Sequence, residues 1–74
     1  MKELDLVVLT QPIPDYGLER SDVGTIVHCY ADGQAYEVEF ITAEGVTLAV
    51  LTLTQDAVRP LASREILHVR DLAA

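Results

Sequence analysis

The fold of this chain is decided by residues 22–54, which read DVGTIVHCY (22–30), ADGQ (31–34), AYEVEFI (35–41), TAEG (42–45) and VTLAVLTLT (46–54). Three runs rich in β-branched and aromatic residues are separated by two short segments that each contain a glycine, a pattern typical of a small antiparallel meander. In a chain of 74 residues, a meander leaves room for little beyond one compact β domain. We therefore predict an all-β fold and a single domain over residues 1–74.

The second of the three runs, residues 35–41, predicts which of its faces is buried. Tyr36, Val38 and Phe40 fall on one face of a strand over residues 36–41, and Glu37 and Glu39 fall on the other. We expect the aromatic face to pack into the core and the glutamates to face water. Residues 46–54 carry apolar side chains on both faces, so either a bulge shifts the phase midway, which we favour, or both faces are covered.

The flanking segments extend the meander. We predict strands over residues 4–10 and 65–70, a long ordered loop over residues 11–21 anchored by Tyr16 and Leu18, and a 3₁₀ turn over residues 55–60 with Val58 facing inward. Gly24 suits a bulge or a close backbone approach at the start of a bent strand. Together these elements describe a five-stranded antiparallel SH3-like barrel, with an open β-sandwich as the alternative.

The charge of the chain restricts its partners. Twelve Asp and Glu residues oppose five Lys and Arg, which gives a formal net charge of −7. Nucleic acids are bound through Lys and Arg, so a nucleic-acid partner is not expected and a basic protein is the natural match. The alternative is that the charge only keeps an apolar-rich domain soluble.

Other sequence features point to a cytoplasmic protein without a cofactor. Cys29 is the only cysteine, so no internal disulfide is expected, and a buried structural thiol is the simplest interpretation. The first residues alternate charged with apolar side chains and meet two prolines, so we expect neither a signal peptide nor a membrane span.

No catalytic or metal-binding pattern is present in the sequence. His28 and His68 lie within apolar strand patterns, which favours satisfied or half-buried strand histidines. Adjacent strand residues point to opposite faces, so His28 and Cys29 would not share a zinc ion. The four glycines are scattered singly, and no phosphate-binding loop is formed. We expect no enzyme, no metal and no cofactor.

Two candidate binding surfaces remain. One is a groove in which loop tyrosines lie near Pro12 and Pro14, and the other is an acidic face that would steer a basic partner. Glu37 and Glu39 are read as a solvated pair on this face, without a pocket that would shift a pKa. The predicted partner-binding residues are Tyr16, Tyr30, Asp32, Glu37, Glu39 and Glu44.

Three separated blocks carry a family resemblance: MKELDLVVLT (1–10), PDYGLERSDVGTIVHCYADGQAYEVEF (14–40) and REILHVRDL (64–72). Across nearly its whole length the chain resembles a small bacterial family labelled domain of unknown function 4926. The resemblance implies a stand-alone small protein, and some members resemble partners encoded beside toxin-like proteins. More distantly, DVGTIV (22–27) is similar to the strand after the first loop of KOW and other SH3-like domains.

Three functions are consistent with these observations. The first is a non-enzymatic protein-interaction module that restrains a basic protein, as an antitoxin or immunity protein does. The second is a structural subunit that self-assembles, such as a homodimer through strand edges, because surplus apolar residues occur in residues 4–9 and 48–53. The third is a KOW-like nucleic-acid or ribosome-associated barrel that uses Arg59, Arg64 and Arg70.

Overall fold

Five antiparallel strands form one sheet in the computed structural model, which describes residues 1–72. The strands are β1 (Leu6–Leu9), β2 (Val23–Cys29), β3 (Ala35–Ile41), β4 (Thr47–Thr54) and β5 (Val58–Pro60), in the spatial order β4-β3-β2-β1-β5. The all-β, five-stranded antiparallel prediction is confirmed. Within the described residues the sheet is not closed into a barrel, because β4 and β5 lie at its two ends and do not pair.

The fifth strand lies earlier in the chain than predicted. Val58–Pro60 pairs with β1 in the register Leu9↔Val58, Val8↔Arg59 and Val7↔Pro60, where a 3₁₀ turn was expected. Pro60 has no N–H to donate and is tolerated at this end of an edge strand. The inward orientation of Val58 is confirmed, since its side chain is buried. The prediction of a strand over residues 65–70 is wrong, because these residues form no ladder.

The core lies on one face of β3, as its alternation predicts. Tyr36, Val38 and Phe40 are buried and pack with residues from β1, β2, β5 and the first loop: Val7, Leu9, Leu18, Ile26 and Val58. Burial of these apolar side chains is the main stabilising contribution in a domain of this size. Glu37 and Glu39 lie on the opposite face, which is only partly covered.

The ambiguous phase of residues 46–54 is resolved by the pairing of β4 with β3. Phe40 pairs with Ala49 and Ile41 pairs with Thr47, so Leu48 is the extra residue of a bulge at the start of the strand rather than midway. From Ala49 onward the alternation is unbroken, with Leu51 and Leu53 packed against the core. One face of β4 therefore packs against the core and the other face is exposed, so the alternative in which both faces are covered is wrong.

Gly24 makes the close approach that its place in the sequence suggests. A Cβ at this position would lie 2.6 Å from Cγ1 of Val38 and 2.8 Å from Cε1 of Phe40. The irregularity in the β2–β3 register falls farther along the strand, where Ile26 pairs with Val38 and His28 pairs with Glu37, leaving Val27 as the extra residue. The strand is thus bent at Val27, while Gly24 lets β2 pack tightly on the core.

The first loop folds back onto the sheet through Leu18. This side chain is buried, and residues Ile13 and Leu18 form an isolated antiparallel bridge around the 3₁₀ helix Pro14–Tyr16. Tyr16 remains exposed, so the prediction that it anchors the loop is wrong. Over residues 1–72, no helix has the length and apolar character needed to cross a bilayer.

Candidate functional site

Four of the predicted partner-binding residues lie on β3 or in the turns at its two ends. Asp32 lies in the turn before the strand and accepts a hydrogen bond of 3.0 Å from the backbone amide of Gln34. Glu37 and Glu39 lie on the strand itself, and Glu44 lies in the turn that follows it. The structure therefore places these carboxylates along one strand and its two turns.

The carboxylates of Glu37 and Glu39 are held by hydroxyl groups. The hydroxyl of Tyr30 donates to Oε1 of Glu37 at 3.0 Å, and the hydroxyl of Thr52 donates to the same oxygen. The hydroxyl of Thr47 donates to Oε2 of Glu39 at 2.8 Å. We call this surface, formed by Tyr30, Glu37, Glu39, Thr47 and Thr52, the acidic face. Its two charges are fixed in position, although both carboxylates remain in contact with water.

His28 also belongs to this part of the molecule. It pairs with Glu37 across the β2–β3 ladder, its ring meets the ring of Tyr30 edge-on at 4.9 Å, and Nδ1 lies 4.0 Å from Oε1 of Glu3. Cys29 is half-buried and packs against the core, so the predicted buried thiol is only partly covered. Within residues 1–72, no group of three or more His, Cys, Asp or Glu side chains is arranged to hold a metal ion.

The two tyrosines of the predicted groove lie on different elements and have different surroundings. Tyr16 lies on the 3₁₀ helix of the first loop with an exposed side chain, whereas Tyr30 follows β2 and contacts Glu37. Neither tyrosine lines the cleft beside residues 65–72 that is described below. Tyr30 is therefore part of the acidic face, and Tyr16 is not.

The outer edge of the sheet next to the acidic face is β4. Within residues 1–72 this strand pairs only with β3, and it contains no charged residue. Leu48 and Val50 are exposed on it, and Val46 is exposed just before it. An edge strand presents unpaired backbone N–H and C=O groups, and natural edges are commonly protected by charge or proline. Here the protection is limited to the bulge at Leu48, so β4 is available to pair with another strand.

A cleft lies between the sheet and residues 65–72, which we call the C-terminal strap. The cleft has a volume of about 580 Å³, and Leu18, Phe40 and Leu48 contribute apolar side chains to it. Its acidic lining residues outside the strap are Asp22, Glu39 and Glu44, and its basic lining residues, His68 and Arg70, both belong to the strap. The strap thus places its own cations in an otherwise acidic cleft.

Asp22 holds the end of the strap. Its carboxylate is nine-tenths buried and accepts hydrogen bonds from Nε and Nη2 of Arg70, while Nε2 of His68 lies 3.2 Å away. Burial raises the pKa of the Asp22 carboxyl, but the hydrogen bonds from Arg70 and from the Glu19 backbone amide outweigh it, so the pKa lies below its ordinary value. This cluster was missed by sequence reasoning, because Asp22 and Arg70 are 48 residues apart and share no local motif.

A second ion pair holds the beginning of the strap. Arg59 donates two hydrogen bonds to the carboxylate of Glu65, at 2.8 and 2.7 Å, and the amide of Ala62 donates a third at 2.7 Å. The hydrogen bonds from Arg59 and then from Ala62 lower the pKa of Glu65 to about 2. Two of the three arginines considered for nucleic-acid contact, Arg59 and Arg70, are therefore already paired with carboxylates.

Comparisons with known proteins identify a family but no activity. A family model described as Domain of unknown function (DUF4926) matches residues 3–60, which include all five strands. No curated protein and no solved structure matches the chain. The match ends before the C-terminal strap, so the acidic face and Asp22 lie inside the matched region and Arg70 lies outside it.

Proposed function

Since the chain belongs to the family described as Domain of unknown function (DUF4926), which names no activity, we propose from the geometry that it is a small non-enzymatic protein-interaction module that binds a basic protein. The observation that carries the proposal is the position of Glu37 and Glu39, one strand in from the unpaired edge of β4. A charged surface and a free strand edge are thereby combined on one side of the molecule.

Strand addition is the binding mode that this arrangement supports. A partner segment that pairs with β4 would form backbone hydrogen bonds along the edge, and alternate side chains would lie on the same side as Glu37 and Glu39. Long Lys or Arg side chains at those positions would meet the two carboxylates. The net charge of −7 would speed the encounter with a basic protein and disfavour acidic ones.

The proposal includes an antitoxin or immunity-type role as a special case. A toxin that acts on nucleic acid has a basic substrate surface, which is the kind of surface an acidic module can cover. Binding of this module would then restrain the toxin by occupying that surface. The partner could equally be a basic protein that requires assembly rather than restraint, and in both cases the acidic face supplies the recognition.

The experiment is affinity capture from native lysate with the tagged protein, compared with the double variant Glu37→Lys, Glu39→Lys. Both side chains are partly exposed, and among the described residues they hydrogen-bond only to hydroxyl groups on the acidic face, so the variant is expected to fold, which circular dichroism checks. We expect one basic protein to be recovered by the parent and lost by the variant.

The matched control reverses two exposed acidic residues elsewhere, Asp15→Lys and Asp56→Lys, and so changes the net charge by the same amount. We expect this control to retain the partner. Loss of capture by both variants would show that only net charge matters, and retained capture by the Glu37 and Glu39 variant would contradict the acidic-face proposal.

Self-assembly is the second candidate function, and the exposed apolar residues on and before β4 favour it. Val46, Leu48 and Val50 are exposed beside a free strand edge, so antiparallel pairing of β4 with the β4 of a second copy would cover them. The nucleic-acid alternative lacks comparable support, because Arg59 and Arg70 are engaged by carboxylates.

A further inference from the structure

Most of the acceptors around the guanidinium group of Arg70 come from one short segment, residues 17–22. Its Nε donates to Oδ1 of Asp22 at 2.9 Å, and its Nη2 donates to Oδ2 of Asp22 and to the carbonyl oxygen of Gly17, the latter at 2.9 Å. Its Nη1 donates to the carbonyl oxygen of Asp71 in the strap at 3.4 Å and lies 3.5 Å from Oε2 of Glu19. The side chain of Arg70 is only 20% exposed. All three guanidinium nitrogens therefore face an acceptor, as in a site selective for arginine.

Asp22 and the backbone of residues 17–22 are positioned by hydrogen bonds within the body of the domain. The carboxylate of Asp22 accepts a hydrogen bond of 2.8 Å from the backbone amide of Glu19, and the backbone amide of Asp22 donates to the carbonyl of Glu19. The carbonyl of Asp22 accepts from the amide of Leu9 in β1. Gly17 has a positive φ of 69°, which turns the chain out of the 3₁₀ helix. The Asp22 carboxylate and the Gly17 backbone therefore have contacts that do not involve the strap, which favours a preorganised pocket.

The strap, by contrast, is held mainly by side chains. Among the described residues, no backbone–backbone hydrogen bond involves residues 66–72. Ile66 and Val69 are 92% and 95% exposed, so they contribute little burial to holding the strap in place. The family match over residues 3–60 includes the pocket and excludes the arginine that fills it. The strap is therefore the part of the Arg70–Asp22 contact that another peptide segment can displace.

We propose that Gly17, Glu19 and Asp22 form an arginine-binding pocket, which the chain's own Arg70 occupies as an internal ligand and which an arginine of the protein partner enters by displacing the strap. The identity of this partner class rests on the proposed function. From the pocket, the cleft continues past Phe40 to Glu39, so an extended basic segment would run from Asp22 toward the acidic face. The pocket thereby makes the binding surface selective for arginine at one position, whereas the acidic face recognises only the positive charge of its partner.

The test uses a labelled peptide with the sequence of the strap, EILHVRDL, as the probe, and the full chain as the receptor. In the parent protein the attached strap competes at high effective concentration, whereas in the Arg70→Ala variant it does not. We expect Arg70→Ala to bind the peptide about tenfold more tightly than the parent, or more. Equal binding by the two proteins would overturn the proposal.

Peptide variants test the chemistry of recognition. We expect binding to be lost when the arginine of the peptide is replaced by alanine and weakened when it is replaced by lysine, because an ammonium group cannot form the same paired hydrogen bonds. Adding Asp22→Asn to the Arg70→Ala protein is expected to abolish binding as well. A peptide that binds equally well without its arginine would contradict an arginine pocket.

A second measurement does not require any protein variant. Titration of the parent with N-acetyl-arginine amide, to a concentration high enough to compete with the attached strap, is expected to shift the amide NMR signals of Gly17, Glu19 and Asp22. N-acetyl-lysine amide at the same concentration is expected to leave them nearly unchanged. Equal shifts with both compounds would overturn the proposal even if Arg70→Ala failed to fold.

Two further outcomes separate this pocket from the proposed function. The Glu37→Lys, Glu39→Lys changes, made in the Arg70→Ala protein, are expected to retain peptide binding, so a failed peptide test overturns the pocket and leaves the acidic face to its own capture experiment. A parent dimer that dissociates on Arg70→Ala would assign the pocket to the strap of a second copy and overturn binding of a foreign arginine.

Discussion

Arg70 donates hydrogen bonds to both carboxylate oxygens of Asp22, which lies 48 residues earlier in the chain. Asp22 is the buried charged residue of the described chain, at 8% exposure. It lies at the end of the first loop, directly before β2. A buried carboxylate without a partner is unfavourable, so Asp22 and Arg70 stabilise each other. The pair joins the end of the C-terminal strap to the body of the domain.

Removal of either partner is expected to destabilise the protein. We expect Asp22→Ala and Arg70→Ala each to lower the free energy of unfolding by about 1.5–3 kcal/mol, the range for hydrogen bonds to charged groups. Asp22→Ala should cost more, because it also leaves the Glu19 amide without its acceptor. Urea denaturation of both single variants and the double variant measures the coupling, and strictly additive losses would show that the two residues do not interact.

Acid should loosen the strap. The pKa values of Asp22 and Glu65 are lower in the folded protein than ordinarily, so the folded state binds fewer protons than the unfolded state and loses stability as the pH falls. For Glu65 the loss falls between its ordinary value of 4.5 and about 2. Solvent screens this partly exposed pair, so its contribution should be small.

The measurement for this acid effect is NMR of the strap amides, those of Ile66 and Val69 in particular, across the same pH range. We expect their signals to move toward random-coil positions on acidification, and to do so at higher pH in a Glu65→Gln variant, which cannot form the charged pair with Arg59. Signals that remain unchanged in both proteins would contradict ionic anchoring of the strap.

Gly24 should not tolerate a side chain. A methyl group there would lie 2.6 Å from Val38 and 2.8 Å from Phe40, both of which are buried in the core. We expect Gly24→Ala to destabilise the protein by about 1–3 kcal/mol, as overpacking of a core does. In the same strand, Val27→Ala removes an exposed side chain and should cost less than about 1 kcal/mol. Thermal unfolding compares the two variants, and equal melting temperatures would refute the steric argument.

Any self-association should depend on the edge of β4. Val50 is exposed on an uncharged strand, so Val50→Lys places a charge on the edge without disturbing the core. If the second candidate function is correct, light scattering will show a mass that rises with concentration for the parent and stays monomeric for Val50→Lys. A parent that is monomeric at high micromolar concentration would remove this candidate.

Prediction of the fold from sequence succeeded where the signals are local. The buried set Tyr36, Val38 and Phe40 follows from strict alternation, and the turns with positive φ at Gly33 and Gly45 follow from glycine in short connections. The fifth strand was misplaced because residues 65–70 also alternate, and alternation does not say whether a strand partner is within reach. Residues 58–60, by contrast, lie within reach of β1, and the pairing of Val58 with Leu9 brings the Val58 side chain into the core.

For the candidate site, the acidic residues along β3 were predictable because a strand's geometry places Glu37 and Glu39 on one side. Their fixing by Tyr30, Thr47 and Thr52 was not, since cross-strand contacts depend on register and on the bulge at Leu48. The arginine pocket was wholly hidden from the pattern of residues, because Gly17, Asp22 and Arg70 meet only after the chain has folded.

The amino-acid sequence alone therefore determined the β class of this protein, its central meander and the acidic character of one strand face, because period-two alternation and glycine turns act between near neighbours. The tertiary structure decided which residues form the last strand, where β4 changes phase, and that Arg70 is enclosed by the turn around Asp22. These outcomes depend on the fit of distant segments and on the burial of charge, which have no counterpart in local sequence order.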